Sequence, residues 1–297
     1  MKLDFKDLRK AYADKEVLKG LSFQVESGNI LAFLGKNGAG KTTTIRILMN
    51  VIKKDSGEIT LDGVPFDRNN FRIGYLPEER GMYQKNKILD QLVYFGELKG
   101  YGKEEAKKSA KELLEKVGLA ESMNKNLETL SKGNQQKVQI VEALMCEPDI
   151  IILDEPFSGL DPINSSILKE LILEKSGKDK ITLFSSHQMG YVDEICTDIA
   201  ILTDGVCKVN DKIETIKRDM AKNKVFVIPF DFDLESYKNM LSEKNYKPEI
   251  KRDRIVVDLG NVKREEFLTD IAKLNVDVDS YGIYKPTIAD IFMEYAR

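Results

Sequence analysis

The sequence predicts an α/β fold in two parts: a largely parallel sheet flanked by helices, followed by a small α+β unit. Three observations carry this. Continuous apolar runs, Ile30 to Leu34 and Ile150 to Leu153, suit strands buried on both faces, and helical periodicity separates them. A glycine-rich loop, Gly35-Lys36-Asn37-Gly38-Ala39-Gly40-Lys41-Thr42, joins the first run to a helical stretch from Thr43 to Met49. From Val225 onward the order becomes βαββαβ, that of a split ferredoxin-like unit.

Taken in order, residues 2 to 26 read as two strands, Leu3 to Leu8 and Val17 to Val25, joined by a turn that contains Tyr12. The ring of Tyr12 is either a half-packed strand-end residue or a face for a base. The loop that follows fits GxxxxGK(S/T) in the strand-to-helix context the pattern needs. Its glycines let successive N–H groups turn inward toward a triphosphate, and the helix adds its positive end. Lys41 can then reach the β- and γ-phosphates, and the Thr42 hydroxyl can ligate Mg²⁺.

Next come a strand from Glu58 to Leu61, a turn at Asp62-Gly63, and a short strand from Ile73 that breaks at Pro77 into the charged loop Glu78-Glu79-Arg80. Glu78 either faces solvent or serves the site. Residues 86 to 128 carry helical periodicity, with Gly118 placed to stop the second helix. Leu130-Ser131-Lys132-Gly133-Asn134-Gln135-Gln136-Lys137 then opens another helix. Ser131 there is an N-cap with exposed glutamines beyond it, or, with Gly133, a second anion site at a helix start.

The buried strand ending in Leu153 runs into Asp154-Glu155-Pro156, acids placed where an open sheet presents ligands. Asp154 can hold Mg²⁺ through water and Glu155 can polarise a water toward the γ-phosphorus. Helix Asn164 to Glu174 and strand Lys180 to Phe184 lead to His187, the chain's only histidine, just past a strand end as Asp154 is. Helix Met189 to Cys196 and strands Asp198 to Leu202 and Val206 to Val209 complete the first part. Residues 211 to 223 read as a connecting helix.

Composition bounds the rest. A chain of 297 residues with formal net charge −3 shows neither a nucleic-acid footprint nor a polybasic membrane patch. No apolar run reaches the length of a membrane helix, and the expectation is a cytoplasmic protein. Cys146, Cys196 and Cys207 form no CxxC pair and read as buried free thiols.

Together these residues resemble the ATP-binding subunits of ABC transporters over about residues 1 to 215. GKNGAGKT matches the family's phosphate loop, Leu130 to Asn134 its LSGGQ signature, and Ile150 to Glu155 its metal-and-base strand. Ser158-Gly159-Leu160-Asp161 matches its D-loop, His187 its switch histidine, and Tyr12 its adenine-stacking aromatic. The resemblance implies a P-loop ATPase core at 1–215 with an antiparallel β subdomain and a helical subdomain at about 86–145; beyond it the element pattern reads as a linker helix at 216–223 and an accessory ferredoxin-like domain at 224–297. It implies a head-to-tail homodimer or heterodimer of ATPase subunits around two MgATP, powering a separately encoded permease docked on the helical insert and the loop around Glu78 to Tyr83, at the inner face of the membrane.

Under that resemblance Glu155, His187 and Lys41 are catalytic, and Thr42, Asp154 and Glu78 manage Mg²⁺. Tyr12, Gly35, Asn37, Gly38, Ala39, Gly40, Lys41, Thr42 and Thr43 hold the nucleotide, with Ser131, Gly133 and Asp161. Two positions depart from the pattern: Glu78 stands where the family usually has glutamine, and Lys132 and Asn134 replace glycine and glutamine. Ile73 to Arg80, the LSKGN signature and the small final domain look like subunits of sodium-efflux and drug exporters. Alternatives are an ABC ATPase outside transport and a nucleotide-dependent sensor without turnover.

Overall fold

The computed structural model describes residues 1–13, 15–78 and 81–296. Glu79 and Arg80, within the charged loop expected after Pro77, lie outside the described residues. The chain divides into two compact units, Met1–Ile213 with Phe292–Arg297, and Glu214–Ile291.

The first unit opens with a long hairpin, β1 (Lys2–Tyr12) and β2 (Lys15–Glu26). Leu3, Phe5 and Leu8 on β1 are at most 1% exposed, so the inward face is set by apolar alternation. Tyr12, expected in the turn, is instead the last residue of β1 and pairs with Lys15. The hairpin continues that far because Asp55 accepts hydrogen bonds from Lys10 Nζ and Ala11 N–H, both at 2.7 Å.

The core strand β3 (Ile30–Gly35) and helix α1 (Lys41–Leu48) come next, then β4 (Ser56–Leu61), β5 (Val64–Pro65) and β6 (Ile73–Leu76). Helices α2 (Ile88–Leu98) and α3 (Lys103–Lys116) make the insert, and Gly118 at φ 73° follows the end of α3. Helix α4 (Lys132–Leu144) leads to β7 (Ile150–Asp154), α5 (Pro162–Lys175), β8 (Ile181–Ser185), α6 (Met189–Ile195), β9 (Asp198–Thr203) and β10 (Val206–Lys212).

These strands build two sheets. One is antiparallel, in order β2-β1-β4-β5; the other has six strands in order β10-β9-β3-β8-β7-β6. All of the six are parallel except β10 at the edge. Phe5, Phe23 and Phe33 stack in sequence between the sheets, at centroid distances of 4.1 and 4.9 Å. Burial of each such ring stabilises by about 1.5–3 kcal/mol. Asp211 and Lys212, expected in the connecting helix, pair instead with Ile199 and Asp198, which extends β10.

The second unit holds α7 (Ile213–Ala221, its first residue in the first unit), β11 (Lys224–Pro229), α8 (Leu234–Glu243), β12 (Lys247–Lys251), β13 (Arg254–Asp258), α9 (Arg264–Ala272) and β14 (Val278–Ile283). The closing helix α10 is Ile288–Tyr295. Its sheet is antiparallel in order β12-β13-β11-β14, the topology of a ferredoxin-like unit. Val225, Val227, Tyr237, Ile255, Val257 and Phe267 form its own core.

In the first unit α4 lies directly against β6. A Cβ on Gly74 of β6 would come within 2.2 Å of the Ala143 carbonyl oxygen, a backbone atom that cannot swing away. Gly74→Ala is expected to destabilise by about 1–3 kcal/mol or more in denaturant titration. Gly190→Ala, in α6 with open space around it, is expected to stabilise by about 0.5–1 kcal/mol. Equal effects of the two would contradict the close packing of α4 on β6.

Candidate functional site

Strands β3, β7 and β8 run parallel, so their C-terminal ends face one edge. Asp154 pairs with Ser185, and Ile30, Leu31 and Ala32 pair with Thr182, Leu183 and Phe184. The phosphate loop, the two acids and His187 therefore leave the sheet side by side. They line one cleft of ≈ 310 Å³, together with Val17, Thr42, Thr43 and Glu78.

The loop is shaped by backbone that other residues resist. Gly38 and Gly40 sit at φ 82° and 107°, and a Cβ on Gly40 would meet Leu18 Cδ2 at 2.5 Å. Helix α1 begins at Lys41 with no side chain capping its first turn, so its leading N–H groups are left for an anion. Lys41 Nζ donates to the Gly35 carbonyl at 2.5 Å. Burial pulls the Lys41 ammonium below its ordinary value, and the charges of Asp154, Glu155 and Glu78 work against that.

Asp154 is 5% exposed and accepts a hydrogen bond from Ser185 Oγ. Glu155 follows at φ 50°, a left-handed conformation that costs a residue with a Cβ about 1–2 kcal/mol. Its N–H donates to the Ser185 carbonyl at 3.0 Å, and Ser158 N–H donates to the Glu155 carbonyl at 3.1 Å. Burial raises the Glu155 carboxyl above its ordinary range, opposed by the charge of His187. His187 Nε2 lies 3.7 Å from Glu155 Oε1, and Ser186 Oγ donates to Oε2 at 3.3 Å.

Other expected site residues stand apart from this cleft. Ser131 caps α4, its Oγ accepting from Asn134 N–H at 3.3 Å, with exposed Lys132 and half-buried Gly133 beside it. Asp161 caps α5, accepting from Asn164 N–H at 2.9 Å. Tyr12 is 45% exposed, with Lys10 Nζ 5.6 Å from its ring centroid. Gly35 closes β3 beneath the loop.

Sequence reasoning missed Val17, whose place in the cleft depends on a strand pairing. It also missed Ser185 and Ser186, the hydroxyls that orient the two acids; their position directly before His187 at a strand end was the available signal. Gln135 and Gln136, read as exposed filler, are 9% and 7% exposed. Their amides turn inward, to the Leu130 carbonyl at 3.0 Å and the Pro156 carbonyl at 3.2 Å.

The oxygen donors at the loop, the Thr42 hydroxyl with the Asp154 and Glu78 carboxylates, are of the hard kind that suit Mg²⁺. Among the described residues no three acidic, histidine or cysteine groups are already gathered at ligand distance.

Comparison with known proteins gives the chain a family. The family model described as ABC transporter matches residues 18–158. The uncharacterized ABC transporter ATP-binding protein YhaQ of Bacillus subtilis is 37% identical over 289 residues, covering 96% of this chain and 95% of that protein. The linearmycin resistance ATP-binding protein LnrL of Bacillus subtilis is 34% identical over 207 residues, covering 68% of this chain and 67% of that one. A solved structure titled as the ATP binding subunit of an ABC transporter superposes with TM-score 0.68 at 28% identity, over 82% of this chain and all of that one. No helix among the described residues is long and apolar enough to cross a membrane. With a phosphate loop, two acids and a histidine at one sheet edge and a relative matched over nearly its whole length, the chain belongs to the ABC transporter family as an ATP-binding subunit, an ATPase.

Proposed function

We propose that this subunit works as a head-to-tail pair closed around two MgATP, and that closure drives a separately encoded membrane permease of the drug- or sodium-exporting kind. One observation carries the reading. The cleft gathers Lys41, Thr42, Asp154, Glu155 and His187, while Ser131 and Gly133 open a different helix outside it. A serine-capped helix start in each copy is then free to meet the triphosphate held by the other.

In that arrangement the loop N–H groups and Lys41 bind the β- and γ-phosphates and neutralise charge that grows on the leaving oxygens. Thr42 and Asp154, with Glu78, hold Mg²⁺, which offsets phosphate charge when bound. Glu155 orients the attacking water and takes its proton. His187 steadies the γ-phosphate, and its 3.7 Å approach to Glu155 Oε1 keeps the carboxylate aimed. Tyr12 offers its exposed ring to adenine, and Asp161 lies in the D-loop that lines the seam between copies.

The permease would dock on the helical insert and the loop from Glu78 to Tyr83. Tyr83 and Tyr94 stand 54% and 49% exposed there, beside a groove of ≈ 640 Å³. Through it the subunit would act at the inner face of the membrane. Export is supported by the likeness to LnrL, whose name assigns it a resistance role.

Three outcomes test the reading. Glu155→Gln is expected to lower turnover by on the order of 10²–10⁴-fold and, with MgATP, to elute as a dimer retaining nucleotide. A monomer that binds nucleotide and whose wild type shows no turnover would instead mark a sensor. Because burial raises the Glu155 carboxyl, the base is lost on acidification sooner than an ordinary glutamate would be. The acid limb of kcat should therefore lie above the ordinary value of 4.5; a limb at or below it contradicts the assignment. Lys132→Gly should raise the ATP concentration for half-maximal dimerisation by roughly two- to fivefold, the scale of one charge at a helix end. Unchanged dimerisation would remove Lys132 from the trans phosphate.

A further inference from the structure

We infer that Gln136 is a positioning residue, tying the general-base loop of one ATP site to the helix that reaches the other. The inference rests on the composite-site reading above. Gln136 lies on α4, whose start carries Ser131 and Gly133. Its buried Nε2 donates to the Pro156 carbonyl at 3.2 Å, and Pro156 directly follows Glu155. The bond thus runs from the helix offered to a partner's nucleotide to the segment that aims the base at the subunit's own.

Three features make this more than packing. A buried amide is costly unless bonded, and an apolar side chain would fill the same space. Glu155 is held in a left-handed backbone conformation, so its neighbour's position fixes where its carboxylate points. Helix α4 also touches the same segment nearer its start, where a Cβ on Gly133 would lie 3.3 Å from Leu160 Cδ2 and 3.8 Å from the Gly159 carbonyl oxygen. Helix and segment 155–161 therefore meet at two heights along α4.

The neighbouring residue anchors α4 on its other side. Lys137, 5% exposed, donates Nζ to the Val117 carbonyl at 2.9 Å, just past the end of α3. Adjacent side chains thus fix α4 to the helical insert and to the base loop. Movement of α4 onto a partner's γ-phosphate would carry Pro156 with it and set Glu155 for the subunit's own ATP. Closure at one site then speeds hydrolysis at the other without being required for it.

The test compares the wild-type full chain with Gln136→Met, which keeps side-chain length and removes the donor. The expected result is a kcat lower by about 3- to 30-fold, the scale of one buried hydrogen bond. KM should stay unchanged, and the Hill coefficient for ATP should fall toward one. Placed in Glu155→Gln, the same substitution should leave the ATP dependence of dimerisation within about twofold, since no phosphate contact is lost. Unchanged kcat and Hill coefficient, or losses that only track a lower melting temperature, would overturn the role. Glu155→Gln alone failing to dimerise would bring down the composite-site reading and this inference with it. Hydrogen exchange on the wild type gives a second measure independent of the variant: MgATP should slow exchange in residues 131–136 and 156–161 together. Slowing in one stretch without the other contradicts the tether.

Discussion

Parallel register is the constraint on which this molecule depends. Because β3, β7 and β8 run the same way and pair over matched residues, three segments far apart in sequence end at one edge of one sheet. A shift of one residue in β7 would turn Asp154 to the other face and carry Glu155 off the phosphate loop. The register is seen in the pairing of β7 with β8 from Ile150 with Ile181 to Asp154 with Ser185, and the apolar runs that fill these strands bury each of them on both faces. Placement of the two acids beside the glycine-rich loop is in this sense a consequence of strand pairing.

The cleft so formed concentrates charge. Three carboxylates stand around one half-buried lysine, a balance that favours added positive charge, and the uncapped N–H groups at the start of α1 favour an anion beside it. Burial acts in opposite directions on the two central groups, lowering Lys41 and raising Glu155. A carboxylate raised above the ordinary glutamate range accepts a proton more readily than an exposed glutamate does, which suits the role proposed for Glu155.

Much of this was legible in the sequence because it is written in short, contiguous patterns. The phosphate loop, the acid pair after a buried run, the serine before a helix and the βαββαβ order all depend on neighbours within a few residues. What escaped notice depends on contacts between distant positions. Asp55 clamps the end of β1 from across the sheet, 44 residues from Ala11. Gln136 reaches Pro156 over 20 residues, and nothing local separates a tethering glutamine from an exposed one. Asp211 and Lys212 misled for a related reason: their polar character hides an edge strand, where only one side needs a partner.

The central claim is that an ATP site takes its phosphate loop from one copy and its signature helix from another. Mixing two inactive variants, Lys41→Ala and Ser131→Arg, tests it most directly. A mixed pair holds one site with both halves intact and one with neither, so ATPase activity should reappear on mixing and rise with the fraction of mixed dimers. If mixed dimers form and activity stays at the level of either variant alone, the composite site is contradicted.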